Sequence, residues 1–129
     1  MCRILLVDDD ETLRKTLSAF LARVGLGTPA QASNGVEALS SLSALPADLI
    51  ITDCQMPMMD GISFVRALRS QGCSTPVIML SGQGDPRLVQ VALRAGVTQY
   101  LEKPLSPPAL IDAIRQMAAA AQSSAPQAA

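Results

Sequence analysis

The sequence predicts an α/β fold in which five short strands, each followed by a helix, form one parallel sheet covered by helices on both faces. Three observations predict it. Short apolar runs alternate with stretches of helical spacing along the chain. The clearest runs, "ILLV" (4–7), "LII" (49–51) and "VIML" (77–80), are continuous rather than alternating, as strands buried on both faces should be. The length, 129 residues, suits one domain with a full hydrophobic core and leaves no room for a second of ordinary size.

Each element has its own signal. "RILLV" (3–7) reads as a buried strand. Leu13, Leu17, Phe20, Leu21 and Val24 then recur at helical spacing, and Gly25 stops that helix. "TPAQAS" (28–33) is a weak strand, short of β-branched residues and carrying Pro29, which suits an edge. "NGVEALSSL" (34–42) starts a helix after an Asn-Gly turn, and "DLIIT" (48–52) is the next strand. Ile62, Val65 and Leu68 mark a helix after Asp60-Gly61. "PVIML" (76–80) is a strand, and Asp85-Pro86 pairs a cap with Pro at the first helical position, opening a helix that runs to Gly96. "TQYL" (98–101) is the last strand. Ser106-Pro107 repeats the cap-plus-Pro signature before a helix carried by Leu110, Ile114, Met117, Ala118 and Ala121. The fold is expected over residues 1–121, with "QSSAPQAA" (122–129) as a flexible tail or the start of a linker.

Composition excludes several chemistries. The chain has no His, which rules out a Ser–His–Asp triad, His acid–base work and any zinc site containing His. Ten basic and eleven acidic residues leave a net charge of −1, which gives no sign of a nucleic-acid or membrane surface. Trp is absent and Tyr100 is the one tyrosine, so the core must be aliphatic. Cys2, Cys54 and Cys73 are widely spaced and odd in number, and read as free thiols in a reducing compartment. No secretory signal or membrane-length apolar run is present, and a cytoplasmic location is expected.

The polar residues gather when placed on this frame. "LLVDDDETLRK" (5–15) sets four consecutive acids at the mouth of a core strand. Asp8 and Asp9 follow the first strand, Asp53 the third, Ser81 the fourth and Lys103 the fifth. In a parallel sheet these strand ends lie along one edge, where ligands bind. Three carboxylates without His make a hard oxygen site suited to Mg²⁺ (Mn²⁺ could substitute) rather than zinc. Lys103 adds a point charge that can hold an anion, and Ser81 a hydroxyl that can donate to a phosphoryl oxygen. The combination points to phosphoryl transfer onto a carboxylate, with surrounding cations offsetting the charge. Asp10 is better placed as the cap of the first helix, with Glu11 favourable to its positive end.

"ILLVDDDETLRK", "DLIITDCQMPMMDG", "PVIMLSGQGD" and "AGVTQYLEKPL" together resemble the receiver domain of two-component response regulators, of the CheY-like superfamily. The resemblance covers nearly the whole chain. It implies a flavodoxin-like, doubly wound sheet of strand order 2-1-3-4-5. It makes Asp53 the phosphoacceptor. Asp8, Asp9, Asp53 and the Gln55 backbone carbonyl become the Mg²⁺ ligands, with Asp9 more direct than Asp8. Lys103 pairs with Asp53 or its phosphoryl group. Ser81 and Tyr100 become the switch pair. Gly82 is the small residue leaving room for the phosphoryl group, while Gln55 and Gln83 stand beside it and tune access of water. The Lys103–Pro104 bond is implied to be cis. The implied partners are a sensor histidine kinase or histidine-phosphotransfer protein, and a downstream protein or output domain meeting the face of helix 4, strand 5 and helix 5, near Arg87 and Arg94. No direct nucleic-acid or membrane contact is implied, and the chain is a phosphorylation-controlled switch rather than an enzyme.

Singly, each residue has a plainer reading: Asp8 and Asp9 as helix caps, Asp53 as a loop acid, Lys103 as a solvated lysine, Tyr100 as a half-buried strand residue. Met56, Met58 and Met59 read as loop and gap-filling residues, and Cys54 as a small buried apolar one with no support for a redox role. Two other functions compete. A phosphatase of the haloacid dehalogenase type places a second acid two residues after the nucleophile, where this chain has Gln55, and usually carries a cap domain, for which there is no room. A non-phosphorylated interaction module would lack one of Asp9, Asp53 and Lys103, and none is lost.

Overall fold

A computed structural model describes residues 3–82, 86–103 and 106–127. Five strands alternate with five helices: β1 (Ile4–Val7), α1 (Glu11–Arg23), β2 (Ala30–Ala32), α2 (Gly35–Ala44), β3 (Leu49–Asp53), α3 (Gly61–Ser70), β4 (Val77–Ser81), α4 (Pro86–Ala95), β5 (Gln99–Glu102) and α5 (Pro107–Gln127). The strands form one sheet of order β2-β1-β3-β4-β5, every pair parallel, as a flavodoxin-like fold requires. Val7 stands opposite Thr52 and Ser81 opposite Glu102, so the carboxyl ends of β1, β3, β4 and β5 line one edge.

Because strand side chains alternate, the continuous apolar runs feed two cores at once. Leu5, Val7, Ile50, Val77 and Met79 point to the side covered by α2, α3 and α4, where Phe64, Val65, Leu68 and Ala92 are buried. Ile4, Leu6, Leu49, Ile51, Ile78 and Leu80 point to the side of α1 and α5, against Leu21, Leu110, Ile114 and Met117.

Helix starts follow their caps. Asp10, Asn34 and Asp60 each accept the backbone N–H three residues on, at Leu13, Glu37 and Ser63. The weak second strand has three residues and lies at the sheet edge, as its composition suggests. Three details differ from the expected pattern. Val24 sits at the C-cap of α1, 37 % exposed, because the chain turns there through Gly25 and Leu26 N–H closes onto Leu21 O. Asp53 and Ser81 are the last residues of β3 and β4 rather than the first beyond them, so the ladder itself fixes their backbones. And α5 runs on to Gln127, past residue 121, taking in "QSSAPQ" (122–127), a stretch whose composition does not account for it. Gln83, the expected cap Asp85 and the peptide bond between Lys103 and Pro104 lie outside the described residues, as does Cys2.

Candidate phosphoryl-acceptor site

Strand order reverses between β1 and β3, since the chain leaves β1 toward β2 on one side and returns to β3 on the other. That reversal opens a crevice at the carboxyl edge. Asp8 and Asp9 come from its β1 side and Asp53 from its β3 side. Backbone bonds hold them there. Asp8 N–H donates to Ala32 O (3.1 Å), Cys54 N–H to Leu80 O (3.0 Å) and Lys103 N–H to Ser81 O (2.8 Å). The last of these bolts Lys103 beside Ser81 across the β4–β5 pair.

One carboxylate oxygen from each of Asp8, Asp9 and Asp53 lies within 4.8 Å of the other two. Oxygen ligands of one six-coordinate Mg²⁺ sit ~2.1 Å from the ion, hence about 3–4 Å apart. The cluster is therefore close to that size, and its donor set is all hard oxygen. Lys103 Nζ lies between two of the acids, 3.3 Å from Asp53 Oδ1 and 3.8 Å from Asp8 Oδ2. Asp53 Oδ1 also accepts the Cys54 N–H at 2.8 Å, and Asp8 Oδ1 accepts the Asp10 N–H at 2.9 Å. Asp9 is exposed, Asp53 half-buried and Asp8 buried.

Burial is the main force on Asp8. It pushes the carboxyl up from 3.8 to about 6, the Asp10 N–H opposes the rise, Asp53 adds to it, and Lys103 and Asp9 act in opposite directions with less weight. A cation bound there would offset this cost of burying the carboxylate. Behind the acids a cavity of about 10 Å³, lined by Arg14, Leu17 and Ile51 among others, has room for one water at most, so the site is backed by packed side chains.

The other expected residues are placed as follows. Ser81 is buried, with its backbone in β4. Gln55 is exposed two residues beyond Asp53. Gly82 is exposed, and a Cβ added there would meet nothing within 4 Å. Tyr100 is half-buried on β5, opposite Met79, packed against the α2–α4 core. Cys54 is buried, and burial first, then Asp53 and Asp60, push its thiol up, which leaves it a poor nucleophile.

Two residues emerge that residue type alone did not single out. Arg14 Nη1 donates to the Asp8 backbone carbonyl and Nε to Gln31 Oε1 at 3.2 Å, so α1 braces the acidic turn against β2. Gly61 N–H donates to Cys54 O (2.8 Å), closing the loop that follows Asp53. A Cβ at Gly61 would stand 2.2 Å from Asp53 O, so only glycine permits that closure. The Asp60-Gly61 turn signal was legible; the reason for it was not. Within the loop, Met59 N–H reaches back to Pro57 O (2.7 Å) around Met58, whose φ of 69° is unusual for a side chain of that size.

This constellation on this fold has relatives. Residues 4–115 match the response regulator receiver domain family. The chain belongs to that family. It is similar to the chemotaxis protein CheY1 of Helicobacter pylori, at 37 % identity over 111 residues, covering 84 % of this chain and 90 % of that one. It is similar to the two-component response regulator ORR41 of Oryza sativa subsp. japonica, at 38 % over 109 residues, covering 82 % and 86 %. Among solved structures, the chemotaxis protein CheY4 of Vibrio cholerae superposes with a TM-score of 0.84 at 34 % identity, covering 91 % of this receiver domain and 98 % of that chain. Among the described residues of the receiver domain, no helix is long and apolar enough to cross a membrane.

Proposed function

We propose that this receiver domain accepts a phosphoryl group on Asp53 from a phosphohistidine of a sensor kinase or phosphotransfer protein, in a Mg²⁺-dependent reaction, and passes the change on as an altered surface. The observation that carries the reading is the Asp53 carboxylate at the end of β3, flanked by Lys103 at 3.3 Å and clustered with Asp8 and Asp9.

Asp8, Asp9 and Asp53, with the backbone carbonyl of Gln55, would hold the ion. When bound, Mg²⁺ supplies positive charge beside the phosphoryl oxygens. An Asp53 carboxylate oxygen attacks phosphorus, the bond from phosphorus to the donor imidazole nitrogen breaks, and the electron pair stays on that nitrogen. Lys103 offsets charge on the transferring group. The Ser81 hydroxyl then donates to a phosphoryl oxygen, and Tyr100 moves with it. Gly82 leaves room for the group, while Gln55 and Gln83 govern how water reaches the acyl phosphate. The readout face is that of α4, β5 and α5, where Arg87, Arg94, Val91 and Leu93 are exposed. The partner is a protein or an output domain, contacted in the cytoplasm without nucleic acid or membrane. The chain works as a switch that assists its own phosphorylation and dephosphorylation.

The test is incubation with acetyl phosphate and Mg²⁺ followed by intact-mass measurement. One phosphoryl group should add to the native chain and none to Asp53→Ala. Asp9→Asn should abolish the addition and Asp10→Asn should keep it, because Asp10 caps α1 through Leu13. No Mg²⁺-dependent adduct on the native chain would overturn the reading.

A further inference from the structure

The end of the molecule opposite the acids carries a polar knot built around Arg69, in the last turn of α3. Its guanidinium makes four hydrogen bonds to three backbone carbonyls. Nε and Nη2 donate to Gly96 O at 3.2 and 2.7 Å, and Nη1 donates to Cys73 O at 2.9 Å and Thr75 O at 2.8 Å. The cation thereby sits against the negative ends of two helices, its own α3 and the neighbouring α4.

The acceptor at α4 is itself locked. Gly96 has φ +115°, its N–H reaches Leu93 O (3.1 Å), and the Val97 N–H closes onto Ala92 O (3.1 Å). A Cβ on Gly96 would lie 2.7 Å from Arg69 Cγ and Nε, so the arginine stem packs directly on the glycine backbone. One residue further on, Thr98 N–H donates to Val77 O (2.8 Å) and Thr98 Oγ1 accepts from Val77 N–H (3.0 Å), tying the same turn to β4. The buried residues of α4, Ala92 and Ala95, both fall within its last four positions, while in its first half Leu88 is only partly buried against the core and Pro86 and Arg87 are exposed. The start of α4 follows Ser81 and Gly82 at the acidic edge. The helix is thus anchored at the end remote from the site.

We propose that Arg69 is a positioning residue that fixes the C-terminal end of α4 as a pivot, so that a change at Asp53 moves α4 at residues 86–91 and leaves 92–97 in place. The inference rests on the phosphoacceptor reading above. It makes α4 a lever rather than a rigid block that slides.

The test is amide hydrogen exchange on the full chain, native and with Arg69→Ala and Arg69→Lys, with and without Mg²⁺ plus beryllofluoride. Lysine keeps the charge but replaces the planar five-donor fork with a single point of donors, and guards against a variant that simply misfolds. Without additions, exchange at Gly96 and Val97 should rise at least tenfold in Arg69→Ala relative to the amides of β4, and less in Arg69→Lys. A rise no larger than that in β4 would mean only general loss of stability and would overturn the pivot. With beryllofluoride, the native chain should change at 86–91 at least threefold more than at 92–97, and Arg69→Ala should spread the change along the helix. Equal changes along α4 in the native chain would sink the lever alone. Failure to bind beryllofluoride would overturn the phosphoacceptor reading and the lever with it.

Discussion

Burial favours the protonated form of Asp8, and the sign of its effect on stability follows. Its folded value, about 6, stands above the ordinary 3.8, so the folded chain binds the proton more tightly than the unfolded one. The stability it contributes is complete below the unfolded value and is lost as pH rises through the folded one, by up to about 3 kcal/mol. In urea titrations of metal-free protein, Asp8→Asn should therefore gain on the native chain as pH rises from about 4 to 7. Equal pH profiles would count against the burial argument. Gly61→Ala should lower stability by roughly 1–3 kcal/mol, because the loop after Asp53 must reopen to admit a methyl group. The same unfolding measurement checks it, with Gly82→Ala as a neutral comparison on the same edge. Asp8, Asp9, Asp53 and Lys103 were legible in the sequence because their chemistry is written in their type and their place after a strand. Gly61, Arg14 and Arg69 were not, since each acts on a backbone atom brought to it by the fold.

Helix starts were the most readable boundaries, for a local reason. Asp10, Asn34 and Asp60 each satisfy an N–H three residues on, and such bonds need no tertiary partner. Replacing Asn34 or Asp60 by alanine should cost about 1 kcal/mol each in denaturant melts. The Asp60 change should also loosen the loop that carries Met58 and Met59, seen as faster exchange at Gly61, and the Asn34 change should do so less, since Asn34 reaches that loop only through Nδ2 to Met58 Sδ at 3.6 Å. The second strand was readable only as weak. What makes it a strand is its partner: Leu5, Leu6 and Val7 supply the ladder for Ala30, Gln31 and Ala32. The end of α5 was not readable from periodicity, which stops with the last core side chain, Met117.

For the molecule as a whole, strand alternation predicted a parallel sheet, but the strand order came from resemblance, since alternation alone does not say which strands are neighbours. The order matters, because it brings β1 and β3 together and sets three carboxylates within 4.8 Å. Mg²⁺ should accordingly raise the melting temperature, by the equivalent of about 2.7 kcal/mol at a concentration a hundredfold above its Kd. Asp9→Asn should remove that gain in a thermal melt, and Asp10→Asn should not. Tyr100 has one further use. With Trp absent and no second tyrosine in the chain, every photon of intrinsic emission excited near 280 nm leaves from one ring on β5, packed against the same core as Leu88 of α4. The untagged protein thus carries its own single-site optical reporter, and a titration with Mg²⁺ and beryllofluoride can be followed at that ring without a dye or a substitution.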